Sequence, residues 1–337
     1  MTAVPACLHR SRDAITPALR AAVDRLDRKT RHQAAYHFGW ITAGGAPAAA
    51  GAGKAVRPAL ALLSAEAVGA EPEIALPGAV AVELVHNFSL IHDDLMDGDE
   101  ERRHRRTVWK LWGASSAILT GDAMLALAQE VLLDSGLPTA APAAGLLART
   151  TRHLIRGQVQ DLSFEQRSHV AVADCVDMAA GKTGALLSAS AAIGAVLAGA
   201  PEAAVDALAL YGDQVGLAFQ LTDDVLGIWG DPAVTGKSVH TDLRARKKSL
   251  PVSYALNQGG TLGVELAAWL SAPGEPGEEE LRRAAELIEA AGGRDWALSE
   301  AARRMALAED ALRGVDLDAG AREELLALGR FVVDREV

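Results

Sequence analysis

The residues best suited to chemistry are aspartates that close two apolar stretches. The first, His86-Asn87-Phe88-Ser89-Leu90-Ile91-His92-Asp93-Asp94-Leu95-Met96-Asp97, ends in three carboxylates with no lysine or arginine among them. Val80, Leu84, Val85, Phe88, Ile91 and Leu95 recur close to helical spacing, so the run from Pro77 onward is predicted to be a helix. On that helix Asp93 and Asp97 stand at i and i+4 and share a face, with Asp94 just round the cylinder. Carboxylates one turn apart repel unless a cation lies between them. Mg²⁺ suits the position, because it takes one or two carboxylates and completes its shell with water and phosphate oxygens. Taken alone, such a run also reads as a solvated helix end. A second stretch, Gly216-Leu217-Ala218-Phe219-Gln220-Leu221-Thr222-Asp223-Asp224-Val225-Leu226-Gly227, again leads an apolar helix into paired aspartates. Two such helices facing each other would hold metal between their carboxylates, as helix bundles commonly do.

Basic residues surround both stretches. Lys54 and Arg57 straddle a loop-to-helix junction, where backbone N–H groups are also free for an anion. Arg102, Arg103, Arg105 and Arg106 follow the first aspartates; a run like this is often a solvated face, but arginine also matches phosphate oxygens bidentately. Lys182-Thr183 lies in an apolar helix, where a lysine is expensive to bury and so is expected to reach a polar cavity. The sequence around it lacks the upstream glycine and preceding strand of a P-loop. Gln158 and Asp161 share a helix face, with bundle hydrogen bonding and a site role both open. Residues 231–251, which include Lys237 and Lys247, read as a basic loop able to act as a linker or as a lid over an anionic substrate.

The elements that position these groups are predicted to be helices. Half the 337 residues are hydrophobic and only 4% aromatic, so the core is built from Ala, Leu and Val. No sustained period-2 pattern and no long linker appears, which points to one large all-α domain over residues 1–337. Trp109 to Leu133 is read as one long helix and Leu147 to Leu162 as another. The net charge of −11 argues against a general nucleic-acid binder. Cys7 and Cys175 form no framework, so a reducing cytoplasm is expected. No signal region is seen at the N-terminus, and no apolar run is expected to span a bilayer.

Taken together, these motifs resemble the trans-type isoprenyl (polyprenyl) diphosphate synthases from about Gly53 to Pro251. Asp93-Asp94-Leu95-Met96-Asp97 resembles the family's first aspartate-rich motif in its short form, and Asp223-Asp224-Val225-Leu226-Gly227 its second except in the last place. Gly53 through Pro58, Arg102-Arg103, Gly157-Gln158 with Asp161, Lys182-Thr183, Phe219-Gln220, Lys237, and Lys247 before Ser249-Leu250-Pro251 are similar to its other elements. The resemblance implies antiparallel helices around a deep central cavity, a homodimer, and Mg²⁺ held by Asp93, Asp94, Asp97, Asp223 and Asp224. It implies that an allylic diphosphate ionises with Arg102, Lys182, Thr183, Gln220, Lys237 and Lys247 about its leaving group. Asp93, Asp94, Lys182, Asp223 and Lys237 are the residues implied in catalysis. Lys54, Arg57, His86 and Arg103 would hold the diphosphate of isopentenyl diphosphate, the second substrate.

The departures from the family pattern are informative. Ala55, His104 and Arg106 stand where the family has arginine, glycine and proline, and Gly227 replaces the third aspartate of the second motif. Asp223, Gly227 and Asp231 fall at i, i+4 and i+8, so Asp231 or water is expected to fill the gap beside Asp223. That spacing also keeps a class I terpene cyclase as an alternative, which the intact Lys54, Arg57 and Arg103 oppose. A non-catalytic regulatory subunit is opposed by the intact first motif. Phe88 and Ser89, five and four residues before the first motif, resemble the chain-length positions of geranylgeranyl diphosphate synthases and suggest a twenty-carbon product, with fifteen carbons next.

Overall fold

The computed structural model describes residues 4–48, 53–167, 169–230 and 239–333. Helices follow one another as α1 (Ala6–Val23), α2 (Arg28–His37), α3 (Val56–Ala67), α4 (Leu76–Met96), α5 (Val108–Trp112), α6 (Ala114–Leu133), α7 (Ala140–Glu165) and α8 (Val172–Ala179). They continue as α9 (Ala185–Leu197), α10 (Glu202–Trp229), α11 (Thr241–Arg244), α12 (Leu250–Gln258), α13 (Gly260–Leu270), α14 (Glu278–Ala290), α15 (Gly293–Arg313) and α16 (Ala319–Val333). Among the described residues, the paired strands are Glu101–Arg102 and Arg105–Arg106, which form a short antiparallel hairpin.

Two apolar clusters hold the two aspartate helices. Leu84 and Ile91 of α4 meet Met124 and Leu127 of α6 and Leu147 of α7. Leu208 and Tyr211 of α10 meet Leu60 of α3, Leu187 of α9, Leu312 of α15 and Leu325 of α16. Each fully buried leucine stabilises the fold by about 1.5–3 kcal/mol, and the many alanines between them let the helices approach closely. Tyr211, deep in this core, donates to the Leu325 carbonyl and so satisfies its hydroxyl.

Local signals explain the helix boundaries. Pro77 stands in the first turn of α4, where its missing N–H has no helical partner to lose. The stretch expected as one helix over Trp109–Leu133 is two, because Gly113 at φ 86 turns the chain between α5 and α6. The helix expected over Leu147–Leu162 starts earlier, at Ala140, with Pro142 tolerated in its first turn. Between α8 and α9, Ala180–Gly184 widens into a single π turn that carries Lys182 and Thr183; such turns often mark functional positions.

One expectation is corrected. Three helices, Pro72–Met96, Ala114–Leu133 and Val172–Leu197, are long and apolar enough to cross a membrane by length and composition. The first and third bury 61% and 67% of their most apolar windows inside the protein, whereas the second buries 44%. Much of that apolarity therefore serves helix–helix packing, and the remainder on α6 forms an outward face.

Candidate active site

The first wall is the last turn of α4. Asp93 is half-buried, Asp97 exposed and Asp94 only 1% exposed. Arg102 donates from Nε to Asp94 Oδ1 at 2.6 Å, while Asp94 Oδ2 is buried with no partner. The hairpin presents Arg102 by a tight turn in which Arg103 and His104 both take positive φ, 51° and 60°. His104 therefore holds a backbone conformation that suits the glycine it replaces. Burial pushes the Asp94 carboxyl up to about 6 against the pull of Arg102. Burial also raises Asp93, opposed by Lys182 and reinforced by Asp97.

The facing wall is built from α7, the π turn and α10. Lys182 Nζ lies 2.6 Å from Asp161 Oδ2 on α7. Gly157, one turn before Asp161, makes this possible: a Cβ there would lie 2.3 Å from the Lys182 backbone nitrogen. Next to it, Gln158 is buried with neither amide atom bonded, a polar group directed at nothing within the protein. Thr183 Oγ1 donates to Gln220 Oε1 at 2.7 Å, and Gln220 Nε2 donates to Asp224 Oδ1 at 2.7 Å. Asp224 Oδ2 accepts from the Leu250 backbone N–H at 2.9 Å. Asp224 Oδ1 is thus bonded within α10, and Oδ2 ties α10 to the start of α12. Burial raises its carboxyl to about 8, with Asp242 adding to the rise. Asp223, by contrast, is half-buried at the helix surface.

Lys247 lies within electrostatic reach of both walls. Burial works against its ammonium, but the carboxylates of Asp242, Asp97, Asp161 and Asp99 together raise its pKa above the ordinary lysine value. Its charge is thus felt by acids just after α4, on α7 and on α11.

A second basic pocket lies behind the first wall. Arg57 is half-buried with Nε unpartnered, and burial lowers its pKa to about 10 while Glu83 opposes the fall. Arg103 feels the same pressures, and its guanidinium lies 3.0 Å from where a Cβ at Gly53 would stand. Lys54 lies over the Phe331 ring at 5.2 Å. Glu83 accepts from Asn87 Nδ2 at 2.9 Å. Arg103 also lines a small neighbouring recess with His37, Asp94, Arg102 and Arg105.

Burial drives His37 down to about 3, with Arg102 and Arg103 contributing, and drives His86 well below its ordinary range, with Arg57 and Arg103 contributing. Both rings stay neutral at pH 7. An unfolded His37 takes up its proton near pH 6.5, whereas the folded one resists until about pH 3. Its stabilising contribution is therefore intact above pH 6.5 and lost progressively as the pH falls through this window. At pH 5 the loss is about 2 kcal/mol. His37→Gln is expected to flatten the decline of melting temperature between pH 7 and pH 5; an unchanged decline would contradict this assignment.

The structure brings together most of the residues that the sequence singled out. Asp93, Asp94, Asp97, Arg102, Lys182, Thr183, Gln220, Asp223 and Asp224 lie on or beside the two aspartate helices, and Lys54, Arg57, His86 and Arg103 around the second pocket. Lys237 and Asp231 lie outside the described residues. His92 turns away from the aspartates, with Nε2 3.1 Å from the Ile118 carbonyl and its ring edge-on to Phe88 at 5.6 Å. Glu83, Asn87, His37, Phe331 and Asp242 were not foreseen. Of these, Glu83 carried a usable signal, being an acid on the buried face of α4 with no charged neighbour in sequence.

Among the described residues no three acids, histidines or cysteines converge closely enough to grip an ion by themselves. Mg²⁺ does not need such a cage, since it binds through one or two carboxylates and otherwise through water and substrate phosphate. The buried, unpartnered Oδ2 of Asp94 and the all-oxygen donor set of the walls fit such an ion.

Comparison with known proteins identifies the family of this chain. Residues 40–288 match the polyprenyl synthetase family. The (2E,6E)-farnesyl diphosphate synthase of Mycobacterium tuberculosis is 52% identical over 325 residues, covering 96% of this chain and 90% of that protein. The geranylgeranyl diphosphate synthase of the same organism is 42% identical over 334 residues, covering 98% and 94%. The crystal structure of a polyprenyl synthetase from Streptomyces coelicolor superposes with a TM-score of 0.94 at 55% identity, covering 97% of this chain and 99% of that one. The chain belongs to the polyprenyl synthetase family and has the all-α isoprenoid synthase fold. It is a prenyltransferase, a short-chain prenyl diphosphate synthase.

Proposed function

We propose that the chain condenses isopentenyl diphosphate head-to-tail with an allylic diphosphate in a Mg²⁺-dependent reaction, giving geranylgeranyl diphosphate. The observation that carries this reading is the pairing of two distinct cationic sites with two acidic walls. A cyclase needs one diphosphate site, whereas the cations Arg57, Arg103 and Lys54 behind the first wall support a second. When bound, Mg²⁺ supplies positive charge against the diphosphate leaving group. Lys182, held by Asp161, and Lys247 add fixed charge at the same place, so the allylic C–O bond can ionise without solvent reorganising. Arg57, Arg103 and His86 hold the isopentenyl diphosphate so that its double bond meets the cation. Its proton then leaves to the released diphosphate. Asp223 serves as the metal-facing carboxylate of the second wall, and Asp224 positions Gln220.

The product length rests on Ser89 and Phe88. Ser89 is 9% exposed, with its hydroxyl folded back on the His86 carbonyl at 2.9 Å, so it leaves room beside α4. Phe88 is buried against His92. A fifteen-carbon product is the second reading, favoured by the farnesyl diphosphate synthase at 52% identity. Chromatography of the products of wild type and Ser89→Phe, each with and without chelator, tests both points. Chelation should stop turnover and the variant should make a shorter chain. Turnover that survives chelation would overturn the metal dependence, and an unchanged product would overturn the role of Ser89.

Ile118, Leu119 and Leu133 on α6 and Ile155 and Val159 on α7 are 45–61% exposed. We propose that this apolar face is covered by a second copy, making a homodimer that carries no membrane insertion and works in the cytoplasm.

A further inference from the structure

Two arginines on α1 are treated differently by the fold. Arg10 reaches Glu324 at 2.8 Å and Glu66 at 3.9 Å, so its charge is answered by α16 and α3. Arg12 leaves α1 roughly 200° round the cylinder from it. Half-buried there, it donates from Nη2 to the Gly53 carbonyl at 3.4 Å, a long contact, while its Nε is buried with no partner. Among the described residues no carboxylate forms an ion pair with it. A guanidinium has five N–H donors, and leaving them buried without acceptors is costly.

Gly53 connects this cation to the second pocket. Its carbonyl takes Arg12, and the place of its missing Cβ lies 3.0 Å from Arg103 Nη2, so two guanidiniums flank one residue. Lys54 follows directly. Arg57, in the first turn of α3, shares the defect of Arg12, its Nε being buried without a partner. Glu83 on α4, an acid of this region, gives Oε1 to Asn87. Cations gathered in this way repel one another unless an anion with several oxygens joins them.

We propose that Arg12 is a further binding residue of the second pocket, donating from α1 to the diphosphate of isopentenyl diphosphate across Gly53 from Arg103. The proposal rests on the reading above that this pocket takes isopentenyl diphosphate. Arg12 joins Lys54, Arg57 and Arg103 there, and it comes from a helix that precedes all the motifs.

The test is calorimetric titration of the full chain with isopentenyl diphosphate alone, where the absence of an allylic partner prevents turnover. It is run with KM for each substrate and a melting curve. Arg12→Gln keeps an amide N–H to offer the Gly53 carbonyl but removes the charge. It should weaken binding about 10-fold and raise KM for isopentenyl diphosphate by as much, with KM for the allylic diphosphate and the melting temperature kept. Arg12→Lys should fall between the two, since it holds the charge and loses the planar fork. Wild-type affinity in Arg12→Gln, or an equal rise in both KM values, would overturn the proposal. So would a loss of affinity matched by a lower melting temperature in both variants, which would mark Arg12 as a structural tie to Gly53. Arg103→Ala run alongside separates the two readings. If it loses affinity while Arg12→Gln keeps it, the role of Arg12 alone fails; if both keep it, the pocket does not take isopentenyl diphosphate.

Discussion

Asp93→Ala is expected to lower kcat/KM for condensation by about a thousand-fold while leaving the fold intact, the upper end of what loss of one charge-stabilising group costs. The asymmetry follows from the environment of Asp93. Burial raises its pKa, so the folded chain spends energy keeping it ionised, and Lys182 only partly offsets this. Asp93 has Asp97 a turn away on the same face, whereas Asp94 already gives an oxygen to Arg102. Removing Asp93 thus deletes a carboxylate that contributes little to stability and much to the leaving-group site. Steady-state kinetics with a melting curve checks both halves. A loss of less than about five-fold would show that Asp94 and Asp97 suffice without Asp93, and its role at the leaving-group site would be wrong.

Gly157→Ala should damage both stability and turnover, although it adds only a methyl group. Its Cβ would lie 2.3 Å from the Lys182 nitrogen and 2.8 Å from both Gly181 C and Lys182 Cα, all backbone atoms with no rotamer by which to escape. Overpacking of this kind costs about 1–3 kcal/mol. The relief has to come from shifting the π turn, which moves Lys182 relative to Asp161. A displacement of about 1 Å at such a site costs on the order of 100-fold in rate. Gly145→Ala on the same helix is the control. Its Cβ would meet just the tip of the Arg149 side chain at 3.4 Å, so it should stabilise the helix by up to about 1 kcal/mol without slowing the reaction. If Gly157→Ala behaved like Gly145→Ala, the close approach of α7 to the π turn would not be what places Lys182.

The sequence revealed the aspartate pairs, the basic clusters and the helical class because each is a local pattern. An acid closing an apolar run, or a lysine inside one, stands out within a few residues. What stayed hidden depends on closure between distant segments. Nothing local says that the Asp242 carboxylate lies 2.2 Å from where a Cβ on Gly227 would stand, or that Asp224 accepts from Gln220 and from the Leu250 N–H. The electrostatic influence of Glu83 on Arg57 spans two helices in the same way. The break at Gly113 was missed because apolar spacing continues across it, although the glycine itself was visible. Hydropathy misled in the opposite direction: the long apolar helices were not recognised as long enough to span a bilayer, and in the fold two of the three bury most of that apolar stretch.

The most direct measurement is an incubation of the purified protein with Mg²⁺, labelled isopentenyl diphosphate and, in turn, dimethylallyl, geranyl or farnesyl diphosphate. Products are separated before and after phosphatase treatment. Two diphosphate sites working together predict labelled linear prenyl diphosphates that become extractable alcohols after phosphatase treatment. Hydrocarbon or alcohol formed from an allylic diphosphate alone, without isopentenyl diphosphate and without phosphatase, would contradict that prediction.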